Sequence, residues 1–359
     1  MRLTVQEKVS LIVPTMNRPD FLSRLLRYYA CAQFRGVLVI GDASHEEHAT
    51  RALQAIEALK GFPQVAHYRF PGLNEPETTK RLLSKVGTPY VALLPDDDLI
   101  VPSSLARCVE FLEDHPDYSL AHGRAVMMML QGSGPYGRLE AVWPHYWGEE
   151  GSNTAAERLL NFLTKNYFTT VFSVHRTQQM QAMYQKMNAA PVLLDKVFME
   201  VLVGCLSVIQ GKAKRLDCLY IIRHHHTRRF FADDFYDWLT GPRWFAAYDG
   251  FRDCLVEELL QEGAVNLEEA REVVKAAFWP WLASRLMSRW RKREDLDGQR
   301  WQGLRKAARR TPGLKNAWRV LRAAAGIDGG VSLPALLHPR SPYYREFTPV
   351  YQVLTEGEA

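Results

Sequence analysis

Residues 9–14 (VSLIVP) make an almost unbroken apolar run of strand length that stops at a polar TMNRPD. PDFLSRLLRYYA then sets Phe21, Leu22, Leu25, Leu26 and Tyr29 at helical spacing. The same order recurs three times. VLVIGD (37–42) precedes EEHATRALQAIEALK, VAHYRF (65–70) precedes EPETTKRLLSKV, and PYVALLP (89–95) precedes SSLARCVEFLEDH. Four alternations predict an α/β fold, with a Rossmann-like, mostly parallel sheet and helices on both of its faces. A further strand is expected at SLAHGRAVMMML (119–130). A loop rich in Gly, Pro and Trp follows (131–151), long enough to be functional or mobile, then a helix in TAAERLLNFLTKN.

From about residue 230 the pattern becomes helical and aromatic. This divides the chain into an expected nucleotide-sugar-type domain (1–229) and a helical, basic carboxyl-terminal region (230–359). Near the end, TPVYQVLTE offers Thr348 as a cap and Pro349 as the first residue of a short helix.

In such sheets, ligands bind beyond the carboxyl ends of the strands. The positions there are Thr15, Asp42, Gly72 and, in LLPDDDLIVP, Asp96, Asp97 and Asp98. Three adjacent carboxylates between two apolar runs are costly to desolvate. A divalent cation, Mg²⁺ or Mn²⁺, would relieve that cost and bridge to a diphosphate, whereas a capped, solvated turn is the plainer account. In the run at 224–226, alternation directs His224 and His226 to one face and His225 to the other, so only part of it can serve a site. Asn17, Arg18 and Asp20 stand at a helix start, suited either to capping or to holding an anion.

With 359 residues and 47% apolar content, the chain can bury a large core. Its five cysteines have no paired spacing, which predicts reduced thiols and a cytoplasmic protein. The first apolar run is too short for a secretory signal. Val201–Ile209, the longest uncharged apolar stretch, falls well short of the roughly 20 residues needed to cross a bilayer. Net charge is +5, yet residues 271–322 hold fifteen Lys or Arg against four acidic residues, so this segment carries +11 and the remainder −6. With Trp279, Trp281, Trp290, Trp301 and Trp318 in it, the segment suits peripheral contact with the inner face of a membrane, and a domain interface or a solvated helix face is the plainer account. No recognition motif accompanies the charge, which argues against nucleic acid.

VSLIVPTMNRPDFLSRLLRYY, VLVIGDAS and GTPYVALLPDDDLIVPSSL resemble, in order and spacing, the three successive blocks of bacterial-type inverting family 2 glycosyltransferases, which have the A-type nucleotide-sugar fold. The resemblance covers about residues 8–226. It implies that Pro14, Thr15 and Asp42 contact the nucleotide base. It also implies that Asp97 is the metal-binding residue of a D-x-D motif whose first Asp is replaced by Pro95. Asp96 or Asp98 could supply the oxygen contact that Pro95 lacks: Asp98 and His226 are placed with Asp97 as ligands of Mn²⁺ or Mg²⁺ and Asp96 as a donor contact, with a solvated basic turn the alternative for His226. Thr78 and Thr79 replace an Arg-Asn pair, which leaves Lys80 or Arg81 either to meet the diphosphate or to serve as solvated helix charges.

In VLLDKVFMEVLVGCLSVIQGKAKRLDCLYIIRHHH, Asp195 matches the family's catalytic base and Leu194 replaces the Glu before it. An acceptor hydroxyl needs such a base because an alcohol is a poor nucleophile until its proton is withdrawn. Helix capping is the structural alternative for Asp195. The resemblance thus implies transfer from a nucleotide-diphosphate sugar, by family habit a UDP-sugar, to a glycan or lipid-linked acceptor. A sugar-phosphate nucleotidyltransferase would need a Gly-rich loop where VPTMNRPD stands. Pro95, Thr78 and Leu194 leave room for a non-catalytic nucleotide- or membrane-binding module.

Overall fold

Along β1 (Val9–Thr15), Val9, Leu11 and Val13 point to one face of the sheet and Ile12 to the other, and each face finds its own core. The computed structural model describes residues 4–59, 64–189, 196–227, 235–263, 265–297 and 331–356. Its other strands are β2 (Val37–Asp42), β3 (Gln64–Arg69), β4 (Tyr90–Leu93), β5 (Leu99–Ile100), β6 (Tyr118–Leu130), β7 (Leu139–His145), β8 (Val174–Arg176) and β9 (Lys212–His224). The sheet order is β3-β2-β1-β4-β8-β6-β9-β5, with β7 also paired to β6. β1 to β4 are mutually parallel, and β6 and β9 run the same way; β5, β7 and β8 run against them. The predicted α/β class and the mostly parallel sheet are both present.

One face packs on α1 (Pro19–Cys31) and α4 (Pro102–Asp114) through Leu25, Leu26, Leu105 and Val109. α2 (Glu46–Glu57) lies against α1. The opposite face packs on α3 (Glu75–Leu83), α5 (Ala155–Thr164), α6 (Thr177–Ala189) and α7 (Lys196–Gln210). Helices after residue 230 complete both cores. α9 (Trp244–Gln261) and α10 (Leu267–Asp297) add Phe251 and Phe278 to the second, beside the short α8 (Phe235–Thr240). α11 (Leu333–Leu336) and α12 (Tyr344–Glu356) add Leu336, Phe347 and Leu354 to the first. Fully burying one such Phe or Leu contributes ~1.5–3 kcal/mol.

Two segments differ from the expectation. The predicted loop at 131–151 contains β7, because Ala141 and Val142 pair with Met129 and Met128 and bury Val142 and Leu139. The terminal helix begins at Tyr344, which leaves Pro349 inside it. The earlier turn is held helical by buried Phe347 and by Glu346, whose carboxylate accepts from the Leu219 N–H at 2.7 Å.

Gly41 decides where α3 can sit. A side chain there would meet Thr78 Cγ2 at 2.7 Å and Leu82 at 3.0 Å, so its hydrogen lets α3 close on β2 and bring Thr78 to the strand ends.

Candidate functional site

The chain turns sharply after β1. Asn17 adopts the left-handed conformation (φ 57°), which asparagine tolerates better than most residues. Its N–H donates to Ser44 Oγ at 2.8 Å, and its Oδ1 accepts from the His45 N–H at 3.0 Å. This joins the loops that follow β1 and β2, and it sends Arg18 back across the strand ends.

Beyond β4, a tight turn closed by the Asp98 N–H donating to the Pro95 carbonyl at 3.1 Å carries the three carboxylates. All three are buried, and each meets a cation supplied from elsewhere in the sequence. Asp96 Oδ2 accepts from Thr15 Oγ1 at 2.7 Å, and its Oδ1 pairs with Arg18. Asp97 Oδ2 meets Arg18 Nη1 at 3.1 Å and His226 Nε2 at 3.0 Å. Asp98 Oδ2 pairs with Arg223 Nε at 2.8 Å, and its Oδ1 accepts from the His224 N–H at 2.9 Å.

Beneath the turn lies Arg24, a fully buried guanidinium on the apolar face of α1. It donates to the Asp97 carbonyl at 2.5 Å and to the Pro135 carbonyl at 2.9 Å, and Nη1 lies 3.1 Å from His224 Nδ1. Since arginine only donates, Nδ1 accepts there. Burial pulls the Arg24 pKa down to about 10 against the attraction of the three aspartates, so it stays charged near neutrality. Burial also pushes the Asp96 carboxyl upward, against the pull of the paired Arg18 and of Thr15.

A cavity of about 620 Å³ opens beside this turn. Its first wall is made by Pro14, Thr15 and Ala43 at the ends of β1 and β2, with Asn74 and Thr78 of the α3 start. Arg18, Asp97 and Arg223 follow. Arg223 lies 4.8 Å from the Phe172 ring, and the far wall continues through Tyr167, Trp281 and Arg285, joined by Val197 and Glu200 of α7. Wall residues therefore come from both the strand ends and the helical carboxyl-terminal region.

Of the expected site residues, Pro14, Thr15 and Asp97 line this cavity. His226 sits directly behind Asp97, and its ring stacks on Phe21 at 4.7 Å. Others of the expected residues lie off the cavity wall. Asp96 and Asp98 spend their oxygens on Thr15, Arg18, Arg223 and the His224 N–H, so they are not on the cavity wall. Lys80 does not line it either, because two residues along α3 carry it to the opposite side of the helix from Thr78. Asp42 lies behind Ala43, with Oδ1 accepting from the Ser44 N–H at 2.8 Å. Among the described residues its Oδ2 has no hydrogen-bond partner, and His67 and Arg69 stand 3.6 and 3.7 Å away. Burial raises the Asp42 pKa, but interactions with His67 and Ser44 outweigh it and leave it below the ordinary value. Asp195 lies outside the described residues; α7 starts at the next position, and its first turn reaches the cavity.

His224 and His226 share one side, with ring centres 4.7 Å apart, while His225 is exposed beside Trp143. Trp281 is a buried wall residue rather than a membrane contact, and the side chains of Trp290, Trp301 and Trp318 lie outside those described. No described helix is long and apolar enough to cross a membrane.

Sequence reasoning missed Arg24, Arg223, Tyr167 and Arg285. Only Arg24 carried a signal, a lone charge within the apolar stripe between Phe21 and Leu25.

Among the described residues, no group of three or more His, Cys, Asp or Glu could hold a metal ion. A divalent cation held beside this turn would rest on Asp97 Oδ2 and His226 Nε2, 3.0 Å apart, and would supply positive charge toward a substrate phosphate. Ligation through Nε2 would place the ring proton on Nδ1.

No family model and no curated protein matches the chain. Among solved structures, residues 1–349 of TarS from S. aureus align over 77% of this chain and 72% of that one, at 15% identity and a TM-score of 0.49. The same TarS segment in complex with UDP-GlcNAc aligns over 75% and 91%, at 14% identity and a TM-score of 0.45. Against a longer TarS chain, alignment covers 74% of this chain and 42% of that one, at 16% identity and a TM-score of 0.47.

Proposed function

We propose that the chain is an inverting glycosyltransferase that moves a sugar from a nucleotide-diphosphate sugar, a UDP-sugar first among them, to an acceptor hydroxyl. One observation carries the reading. Of the three carboxylates, Asp97 alone lines the cavity, which it shares with residues of the strand ends, residues of the helices, and Arg18 and Arg223.

In this reading the strand-end wall of Pro14, Thr15, Ala43 and Thr78 takes the nucleotide. Arg18 and Arg223 face the diphosphate, where fixed donors stabilise charge that develops as the glycosidic bond breaks. Asp97 and His226 would hold Mn²⁺ or Mg²⁺, which when bound supplies Lewis-acid stabilisation of the departing diphosphate. Asp96 and Asp98 hold Arg18 and Arg223 in place. Asp195 withdraws the acceptor proton, and attack from the face opposite the diphosphate inverts the anomeric centre without a covalent protein intermediate. The acceptor, a glycan or lipid-linked sugar, enters from the side of α7 and α10. Exposed Phe245 and Trp279, both against Trp244, extend the basic segment as a surface for peripheral membrane contact on the cytoplasmic face.

Incubation with a panel of nucleotide sugars, with Mn²⁺, Mg²⁺ or chelator, tests the reading. Metal-dependent hydrolysis or transfer with a preferred donor is expected, with product of inverted configuration by NMR. The absence of both donor binding and turnover across the panel would remove it.

The base assignment is tested separately. Asp195→Asn should lower kcat by roughly 10²–10⁴-fold while donor affinity holds. Glu200→Gln, which alters another cavity carboxylate bonded to Thr169 Oγ1 at 3.1 Å, should stay within about tenfold of wild type. The opposite ranking would transfer the role to Glu200.

A further inference from the structure

Arg285 differs from the other arginines of the cavity. Arg18 is neutralised by Asp96 and Asp97, and Arg223 by Asp98. Among the described residues, no carboxylate lies within ion-pair distance of Arg285. Its guanidinium carbon stands 4.6 Å from the Tyr167 ring centre and 5.6 Å from that of Trp281, one helical turn earlier. Those rings lie 5.7 Å apart, and Trp281 is anchored in the core beside Phe278.

Stacking on rings restrains a guanidinium without consuming its N–H donors, because the contact is made to the π face. A restrained, uncompensated fork of donors on a cavity wall matches the oxygens of a phosphate or carboxylate. Its entropy cost on binding is already reduced, since the rings limit its rotamers. Glu200 and Glu75 also line the cavity, so the field there is mixed, and an anion gains most at the cation that neither they nor the aspartates neutralise.

We propose that Arg285, on its platform of Tyr167 and Trp281, seats an anionic group, a phosphate or carboxylate, of a substrate bound in the cavity. This deepens the transferase reading and rests on it for the identity of that substrate. The group belongs to the acceptor or to the donor diphosphate, and position on the helical wall favours the acceptor.

Calorimetric titration of the full-length protein with glycerol 3-phosphate, glycerol and UDP distinguishes the sources, using wild type, Arg285→Ala and Arg285→Lys. Wild type should bind glycerol 3-phosphate and not glycerol. Arg285→Ala should weaken glycerol 3-phosphate by about tenfold or more while UDP stays within about twofold, and Arg285→Lys should retain part of the affinity. Loss of UDP affinity instead would assign the same seat to the donor diphosphate. Because Arg285 is exposed, all three proteins should melt alike. If wild type binds no anionic probe, or if Arg285→Ala binds both probes as wild type does, the seat does not exist. Phosphate binding that depends on Arg285, in a protein that binds no UDP and transfers no sugar, would overturn the transferase reading and leave the seat standing.

Discussion

Asp97→Ala is expected to cut kcat/KM by roughly 10²–10³-fold and to abolish the stabilisation that donor plus Mn²⁺ gives wild type in a melting experiment. The side chain faces the cavity, and its Oδ2 gathers Arg18 and His226 at 3.1 and 3.0 Å. Removing it deletes the carboxylate that would hold the cation, and Arg18 keeps a partner in Asp96. Global stability should therefore change far less than activity. Asp97→Asn sharpens the test, since it keeps the volume and one acceptor oxygen while losing the charge; it should resemble alanine in metal response. Wild-type rates from both variants would mean that the turn serves the fold and not the chemistry.

Asp98→Ala has its large effect on stability. Asp98 is fully buried, and its loss would leave Arg223, itself mostly buried, and the His224 N–H without their carboxylate. Breaking a buried pair from one side costs about 3–5 kcal/mol, because the remaining charge is stranded out of water. Urea unfolding should show a midpoint lowered by that free energy divided by the slope, with the slope itself little changed. The double variant Asp98→Leu with Arg223→Met should recover much of the loss, as an apolar pair of similar volume avoids the desolvation. Equal destabilisation by the single and double variants would show that shape, not charge compensation, governs the turn. Activity should fall in both, since Arg223 lines the cavity.

The two variants separate what two adjacent residues of one type do. PDDD offers three chemically identical side chains, and their order in the chain does not say which will face a ligand. A tight turn rotates successive side chains apart, so one carboxylate enters the cavity while its neighbours turn back onto Arg18 and Arg223. The cost of burying three negative charges is thus met largely by arginines of this chain.

Local pattern was enough for the alternating strands and helices, for the parallel half of the sheet and for the turn at 95–98 as a place of interest. Those depend on side-chain periodicity over a few residues, which is written in the order of amino acids. The separation of His224 and His226 from His225 was legible for the same reason. Three features depended on long-range packing instead. Arg24 and Arg223 reach the aspartates across 73 and 125 positions of sequence. α10, read as an amphipathic basic segment, buries Trp281 and brings Arg285 to the cavity, because the apolar surfaces of α5 and α7 need cover. Pro349 sits within a helix because tertiary burial of Phe347 outweighs a local rule. Sequence alone determined the four alternating strand–helix units and where their ends cluster, while β5, β7 and β8 waited on pairing with other strands. Only the folded chain decided which charges meet, since Coulomb energy depends on separation in space and on burial, neither of which is encoded by neighbours along the chain.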